Sequence, residues 1–377
     1  MTVFALSIVS CTKTLYTPLP NPMDTSVRNT VVYNYSSLAD SLQSTLYLTF
    51  ISADRNYYIQ NDAGNISFNY WPNANTLDLL SDAYLRTKNI LYTQRMLMLL
   101  NGIKVANGGS YSNEFYDDMG WLANSSLRAF NITNNPSYLT TSQLLYQEIK
   151  GGSNSIMGGG IAWQHLQLYY KNMPSTGNAT ILACKFYELQ GNAEDLLFAK
   201  TLYAWMRANL FNSTSGVVYD GINRNQDGKI DNREFTYNQG LFIGSAVELY
   251  TITKDPMYLN DAILTANNEM VDPNLTQNGI LKNEGQGDGG LFKGISVRYF
   301  SLLIELPDLN SNIRLVYENF LQKNAQSLYL NGINRPVLMI SPDWTKVLPG
   351  NTDLTTQLCG MIMIEVAASL KSEGKIQ

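Results

Sequence analysis

The sequence predicts an all-α chain in which roughly six helical hairpins close into a toroid, and three observations carry that reading. Apolar residues recur at helical spacing almost throughout from Ser37 onward. A helix–turn–helix theme returns about every sixty residues, which over this length makes roughly six units. The remaining connections are long and rich in glycine, which suits one shared pocket better than the uniform surface of an open solenoid.

In chain order, Leu38, Leu42, Thr45/Leu46 and Thr49/Phe50 make one face of a first helix. Asn61 to Asn75, with Gly64, Trp71 and Pro72, reads as a long loop. One long helix or two should follow, through Leu77, Leu80, Tyr84, Tyr92, Met96, Leu99/Leu100 and Ile103, stopped by Gly108-Gly109. The repeated theme then appears as Asn131-Ile132-Thr133-Asn134-Asn135-Pro136, as Glu188-Leu189-Gln190-Gly191-Asn192-Ala193, and as Thr251-Ile252-Thr253-Lys254-Asp255-Pro256. Each is a helix end, a polar turn and an Asn or Asp N-cap, with Pro opening the next helix in two copies.

Composition limits what such a chain can do. At 377 residues it holds one large domain or two medium ones, and 45% apolar residues suffice for a sizeable core. Charged residues are only 15%, Tyr is abundant and the net charge is -5, which excludes the basic footprint of a nucleic-acid binder and suits neutral polar ligands. Cys184 and Cys359 sit in apolar helical runs as expected free thiols, and the three cysteines make neither a disulfide framework nor a metal motif.

Cys11 closes an apolar run from Val3 to Ser10, and Ile8-Val9-Ser10-Cys11 resembles a bacterial lipobox, although no basic residue precedes the run. That resemblance implies a signal segment over 1–11 ending at a lipidated Cys, a Thr/Pro/Asn-rich tether over 12–36, and a domain over 37–377. The protein would then be an extracytoplasmic monomer, at the cell surface or on the periplasmic face, meeting the membrane only through its lipid. A frayed or truncated terminus is the rival reading.

Chemistry concentrates at Asp117 and Asp118, adjacent acids before the apolar run of Met119 to Ala129. A helix N-terminus offers unpaired N–H groups and the positive end of the dipole, although Asp-Asp is also an ordinary helix-start signal. The Gly-rich linkers add Trp163 and Gln164, then Asp220 and Asn223, then Tyr237, Asn238 and Gln239, then Asp288 and Lys293. Trp71 and Tyr116 complete a set of amides, acids and aromatic rings suited to a neutral polyhydroxylated ligand. His165 is the only histidine, which removes a Ser-His-Asp triad and any multi-histidine metal site.

Five ordered stretches resemble glycoside hydrolase family 76: Phe115-Tyr116-Asp117-Asp118-Met119-Gly120-Trp121, Gly159-Gly160-Ile161-Ala162-Trp163, Tyr219-Asp220-Gly221-Ile222-Asn223, Thr236-Tyr237-Asn238-Gln239-Gly240 and Phe292-Lys293-Gly294. The resemblance runs from about Ser37 to the C-terminus. It implies an all-α (α/α)6 barrel and a retaining endo-α-1,6-mannanase acting on yeast-type mannan, with Asp117 as nucleophile and Asp118 as acid/base. No cofactor is required for that reaction. Because neighbouring helical residues diverge by about 100°, the pair is expected in the turn just before the helix. A non-catalytic glycan-binding lipoprotein, a transglycosidase and a helical scaffold for protein partners are the alternatives.

Asn223 to Glu234 also matches a calcium-binding EF-hand loop, with Asn223, Asn225, Asp227, Lys229, Asp231 and Glu234 at ligand positions and Gly228 at the bend. Asn replaces the usual first Asp, and a polar surface turn is the other reading. The expected cofactor, if any, is this structural calcium.

Overall fold

The computed structural model describes residues 31–377. Cys11, the segment 1–11 and most of the tether lie outside the described residues. Tyr33–Gln377 form one compact unit, which begins four residues earlier than the expected domain start. The reason is local: the Asn34 side chain accepts the Ser37 N–H at 3.0 Å and caps the first helix.

Among the described residues twelve α-helices follow one another: α1 (Tyr35–Phe50), α2 (Tyr70–Thr87), α3 (Ile90–Ala106), α4 (Tyr116–Thr133), α5 (Pro136–Gly151), α6 (Met173–Gln190), α7 (Ala193–Asn209), α8 (Thr236–Thr253), α9 (Pro256–Val271), α10 (Gly289–Glu305), α11 (Ser311–Asn331) and α12 (Leu354–Ser372). The even-numbered helices pack side by side in a ring that closes from α12 onto α2, and the odd-numbered helices pack outside it. This is an (α/α)6 barrel. Its sixth hairpin joins the two ends of the chain, since α1 packs on α12.

Sequence chemistry explains which helix is inside. The α8 and α12 sequences are apolar or small almost all round and are buried on nearly every face, whereas α7 and α9 bury a single stripe. Glycine sets how closely the inner helices approach. A Cβ on Gly240 would stand 2.5 Å from the Ser296 Cα, and one on Gly294 would stand 2.9 Å from the Cys359 Cα. Cys184 and Cys359 are buried free thiols, as expected.

Inner helices pass to outer ones through two-residue turns at Lys88-Asn89, Asn134-Asn135, Gly191-Asn192 and Lys254-Asp255. The first residue of each turn is left-handed, with φ between 56° and 70°, and the second caps the next helix with its own side chain. In three of them a Thr hydroxyl bonds back to the preceding turn and also receives the N–H of the capping residue. Lys88-Asn89 is thus a fourth copy of the repeat; it lacks the Pro that marks two of the others, and it settles the expected one-or-two-helix stretch as two. A second boundary also moves. Trp71 and Pro72 belong to the first turn of α2 rather than to a loop, because a first-turn Pro gives up no intrahelical hydrogen bond.

The longer connections all run from an outer helix to the next inner one, so they gather over the N-termini of the inner ring. Strands β1 (Lys171–Asn172), β2 (Gly221–Ile222) and β3 (Ile230–Asp231) form an antiparallel sheet there in that order. Two hairpins, β4 (Thr276–Gln277) with β5 (Ile280–Leu281) and β6 (Ile333–Asn334) with β7 (Met339–Ile340), stiffen the connections into α10 and α12.

Candidate active site

Six inner-helix N-termini therefore point at one face of the ring, and the acids lie on that face. Asp117 and Asp118 are the second and third residues of α4, inside its first turn rather than before it. Each remains partly exposed. At the very end of a helix both flanks of the first turn border the cleft, so the angular divergence of neighbours does not turn either acid into the core.

The two carboxyls differ in environment. Asp117 accepts the Asp118 backbone N–H at 3.0 Å. Burial raises its pKa to about 7 against the lowering effect of backbone hydrogen bonds, with Asp220 and Asp288 adding to the rise. Burial also raises Asp118, and there Asp117 and Asp288 push further in the same direction with nothing opposing them. Both carboxyls are thus raised, and repulsion between them disfavours ionising the two together, the condition that acid–base chemistry on a carboxyl pair needs.

Aromatic rings form the wall. Trp71 opens α2 beside Trp121 and Phe292, with ring centres 6.2 and 6.4 Å away. Tyr237 lies flat on Phe292 at 3.9 Å and 11°. Trp163 is half-buried and stands 5.2 Å from Phe115, because a bridge between Phe115 and Gln164 ties its loop to the entrance of α4. Trp121 and Phe292 were not among the expected ligand contacts. Trp121 follows Asp117 by four residues, the helical spacing that places it one turn beneath the acid.

The remaining expected site residues serve mainly inside the protein. Asp220 is 3% exposed and accepts hydrogen bonds from Tyr170, Tyr237, Asn238 and Arg233 at 2.9 to 3.2 Å, so it fixes the wall instead of facing the cleft. The Gln239 amide exchanges hydrogen bonds with both backbone groups of Val218. Lys293 is buried over the Trp344 ring, donates to the Pro342 carbonyl at 2.6 Å, and has its pKa lowered by burial. Tyr116 packs against Gly152 and the edge of His165, which braces this loop beside Trp163. Trp71, Trp163, Tyr237 and Asp288 are the expected contacts that the fold brings to the cleft with the acid pair.

The Asn223–Glu234 loop does not fit a calcium ion. Strand β2 leads into it where an EF-hand has a helix, and β3 pairs with β2 from within the loop itself. Asn223 uses its side chain to accept the Gly228 N–H and to donate to the Tyr169 carbonyl. The Asp231 carboxylate is held by Arg224 and Arg233 at 2.7 to 2.8 Å, and Glu234 receives Asn274. Among the described residues no group of three His, Cys, Asp or Glu side chains is placed to hold a metal ion. The melting temperature of metal-stripped protein should accordingly be the same with millimolar Ca2+ and with a chelator; an ion bound only to the native state would raise it.

Neighbouring acids of unlike environment at the floor of an aromatic-walled helical toroid place the molecule in the class of (α/α)6 glycoside hydrolases. More particularly, residues 37–373 match the model of glycosyl hydrolase family 76, and the chain belongs to that family. It is similar to the α-1,6-mannanase GH76A of Salegentibacter sp. HEL1_6, with 41% identity, 89% of this chain and 100% of that one covered, and a TM-score of 0.87. That relative was solved with α-1,6-mannotriose as an inactive variant in which two successive aspartates are replaced by asparagine. The Lin0763 protein of Listeria innocua is 36% identical over 90% of this chain and 99% of that one, with a TM-score of 0.84. Mannan endo-1,6-alpha-mannosidase DCW1 of Saccharomyces cerevisiae is 30% identical over 134 residues, which span 33% of this chain and 30% of the yeast protein.

Proposed function

We propose that the protein is a retaining endo-α-1,6-mannanase in which Asp117 is the nucleophile and Asp118 the acid/base. The observation that carries the reading is the acid pair itself, two carboxyls at one helix end that burial and neighbouring acids both raise, in a chain similar over its folded length to a mannanase inactivated at two successive aspartates. Aromatic faces beside the pair suit the C–H faces of sugar rings.

In the first step the Asp118 carboxyl gives its proton to the glycosidic oxygen as the Asp117 carboxylate bonds to the anomeric carbon, breaking the bond to the leaving chain and forming a glycosyl ester. Departure of that chain admits water. Asp118, now a carboxylate, takes a proton from the water as its oxygen attacks the anomeric carbon, and Asp117 is released. Two displacements at one carbon retain its configuration. Linear α-1,6-mannan incubated with the protein should yield short α-1,6-manno-oligosaccharides of α configuration, read by chromatography and by NMR before mutarotation. Binding without new reducing ends would make the protein a glycan-capture module.

The lipobox-like Ile8-Val9-Ser10-Cys11 supports an extracytoplasmic, lipid-anchored location, and the proposed enzyme acts there as a monomer on a polysaccharide. No described helix is long and apolar enough to cross a membrane. Cys11→Ser should therefore abolish acyl labelling and release the protein from the membrane fraction; unchanged attachment would require another anchor.

A further inference from the structure

A third carboxylate faces the acid pair, and its conformation departs from what its position calls for. Asp288 immediately precedes α10, where an Asp ordinarily turns its side chain onto the first free N–H groups of its own helix. Here its backbone is already helical, with φ -62° and ψ -42°, and its side chain makes no cap hydrogen bond. Instead Oδ1 accepts the Trp71 indole N–H at 3.0 Å, from the opening turn of α2. The residue as a whole is exposed.

The segment carrying Asp288 is held from both sides. Glu284 receives the Thr236 N–H at 3.0 Å and the Thr236 hydroxyl, at the start of α8. On the other side Gln286 and Gly287 bond to the Asn351–Thr356 stretch that opens α12. The two glycines after Asp288 allow this close seating: a Cβ on Gly289 would stand 2.1 Å from the Glu284 carbonyl oxygen, and one on Gly290 would stand 2.6 Å from the Thr356 hydroxyl. A carboxylate withdrawn from its capping role, fixed by an indole and carried on a pinned backbone has the preorganisation of a ligand contact.

We propose that Asp288 is a third functional carboxylate of the cleft: fixed through one oxygen on Trp71, it offers the other as hydrogen-bond acceptor to a hydroxyl of the mannose bound over Asp117 and Asp118. The proposal rests on the mannanase reading. It adds an electrostatic duty, because the Asp288 charge acts on both acids and raises the pKa of each. Asp220 acts on Asp117 in the same sense, and the Tyr237 and Tyr70 hydroxyls also face the pair.

The test is Asp288→Asn, which keeps an oxygen for Trp71 but loses the charge. Its kcat/KM on linear α-1,6-mannan should fall by about ten- to a hundredfold, the range of a hydrogen bond to a charged group. Because a negative neighbour raises carboxyl pKa values, removing it should move both limbs of the pH profile to lower pH. A purely structural role would lower the melting temperature and leave the profile in place. Trp71→Phe, which deletes the anchoring N–H together with part of the aromatic face, should reproduce at least part of the loss. As a second readout, calorimetry with α-1,6-mannotriose should show about tenfold weaker binding when Asp288→Asn is added to an Asp117→Asn, Asp118→Asn background, again the strength of one such hydrogen bond. Equal affinity there, or an unmoved pH profile in an active Asp288→Asn enzyme, overturns the proposal and leaves the mannanase reading intact. A wild-type protein inert on α-1,6-mannan removes the reading on which it rests.

Discussion

Asp117→Asn and Asp118→Asn should each lower turnover of linear α-1,6-mannan by about three orders of magnitude or more, since each deletes one half of a two-carboxylate mechanism whose parts act as a unit. Neither variant should lose stability. Both acids have folded pKa values raised above their unfolded ones, so ionisation at higher pH opposes folding, and a neutral isostere removes that cost. Melting temperatures equal to or above wild type are expected at pH 8. The roles separate on an aryl α-1,6-mannobioside whose leaving group needs no proton. Ester formation should survive in Asp118→Asn, seen as a burst of phenol followed by slow release, while Asp117→Asn stays inactive. Recovery in Asp117→Asn and not in Asp118→Asn would exchange the two roles, and near-wild-type turnover of mannan in either variant would remove the pair from the mechanism.

The same acids show where sequence reasoning reaches and where it stops. The turn Thr133-Asn134-Asn135-Pro136 is local chemistry, a left-handed residue followed by an Asx cap, so its recurrence made the hairpins legible before any packing was known. Lys88-Asn89 uses the same geometry but was hidden, because Ile90 follows it where Pro136 and Pro256 mark two of the other copies and Gly191 marks the third. Trp71-Pro72 was read as a loop for the converse reason: Pro is a breaker in a helix interior and harmless in its first turn. Within Tyr237-Asn238-Gln239 one residue reaches the cleft while its two neighbours bond Asp220 and Val218. A motif shows that the three belong together; only the packed ring decides which way each one faces. The calcium ligand spacing could not show what those side chains engage in the fold, where Arg224 and Arg233 take the Asp231 carboxylate and Asn274 takes Glu234.

The other large effect is expected at the opposite end of the barrel, from charges the sequence reading did not single out. Arg298 on α10 meets Asp78 at 2.9 Å and Asp82 at 2.7 Å, both on α2, while Arg128 on α4 reaches the same two acids at 2.6 Å. These groups line a cavity of about 670 Å3 among the C-terminal halves of the inner helices. The cluster ties α2 to α4 and reaches α10 across the ring. Burial raises the Asp78 pKa, but Arg298 and then Arg128 outweigh it, and the carboxyl is held below its ordinary value. Arg298→Met keeps most of the side-chain volume and leaves two acids sharing one guanidinium. Breaking one partner of a buried pair costs about 3–5 kcal/mol, and because this cavity admits solvent the lower end applies, about 3 kcal/mol. For a chain of this size that is a fall of about 4 °C in melting temperature near neutral pH. A depressed carboxyl contributes stability that is fully present above its unfolded value of about 4 and is lost as pH falls through the lower folded one. The gap between wild type and Arg298→Met should therefore be widest near pH 7 and shrink toward pH 3. A variant melting within 1 °C of wild type at pH 7, by calorimetry at matched salt, would mean that desolvation cancels the attraction and that apolar packing alone closes the ring.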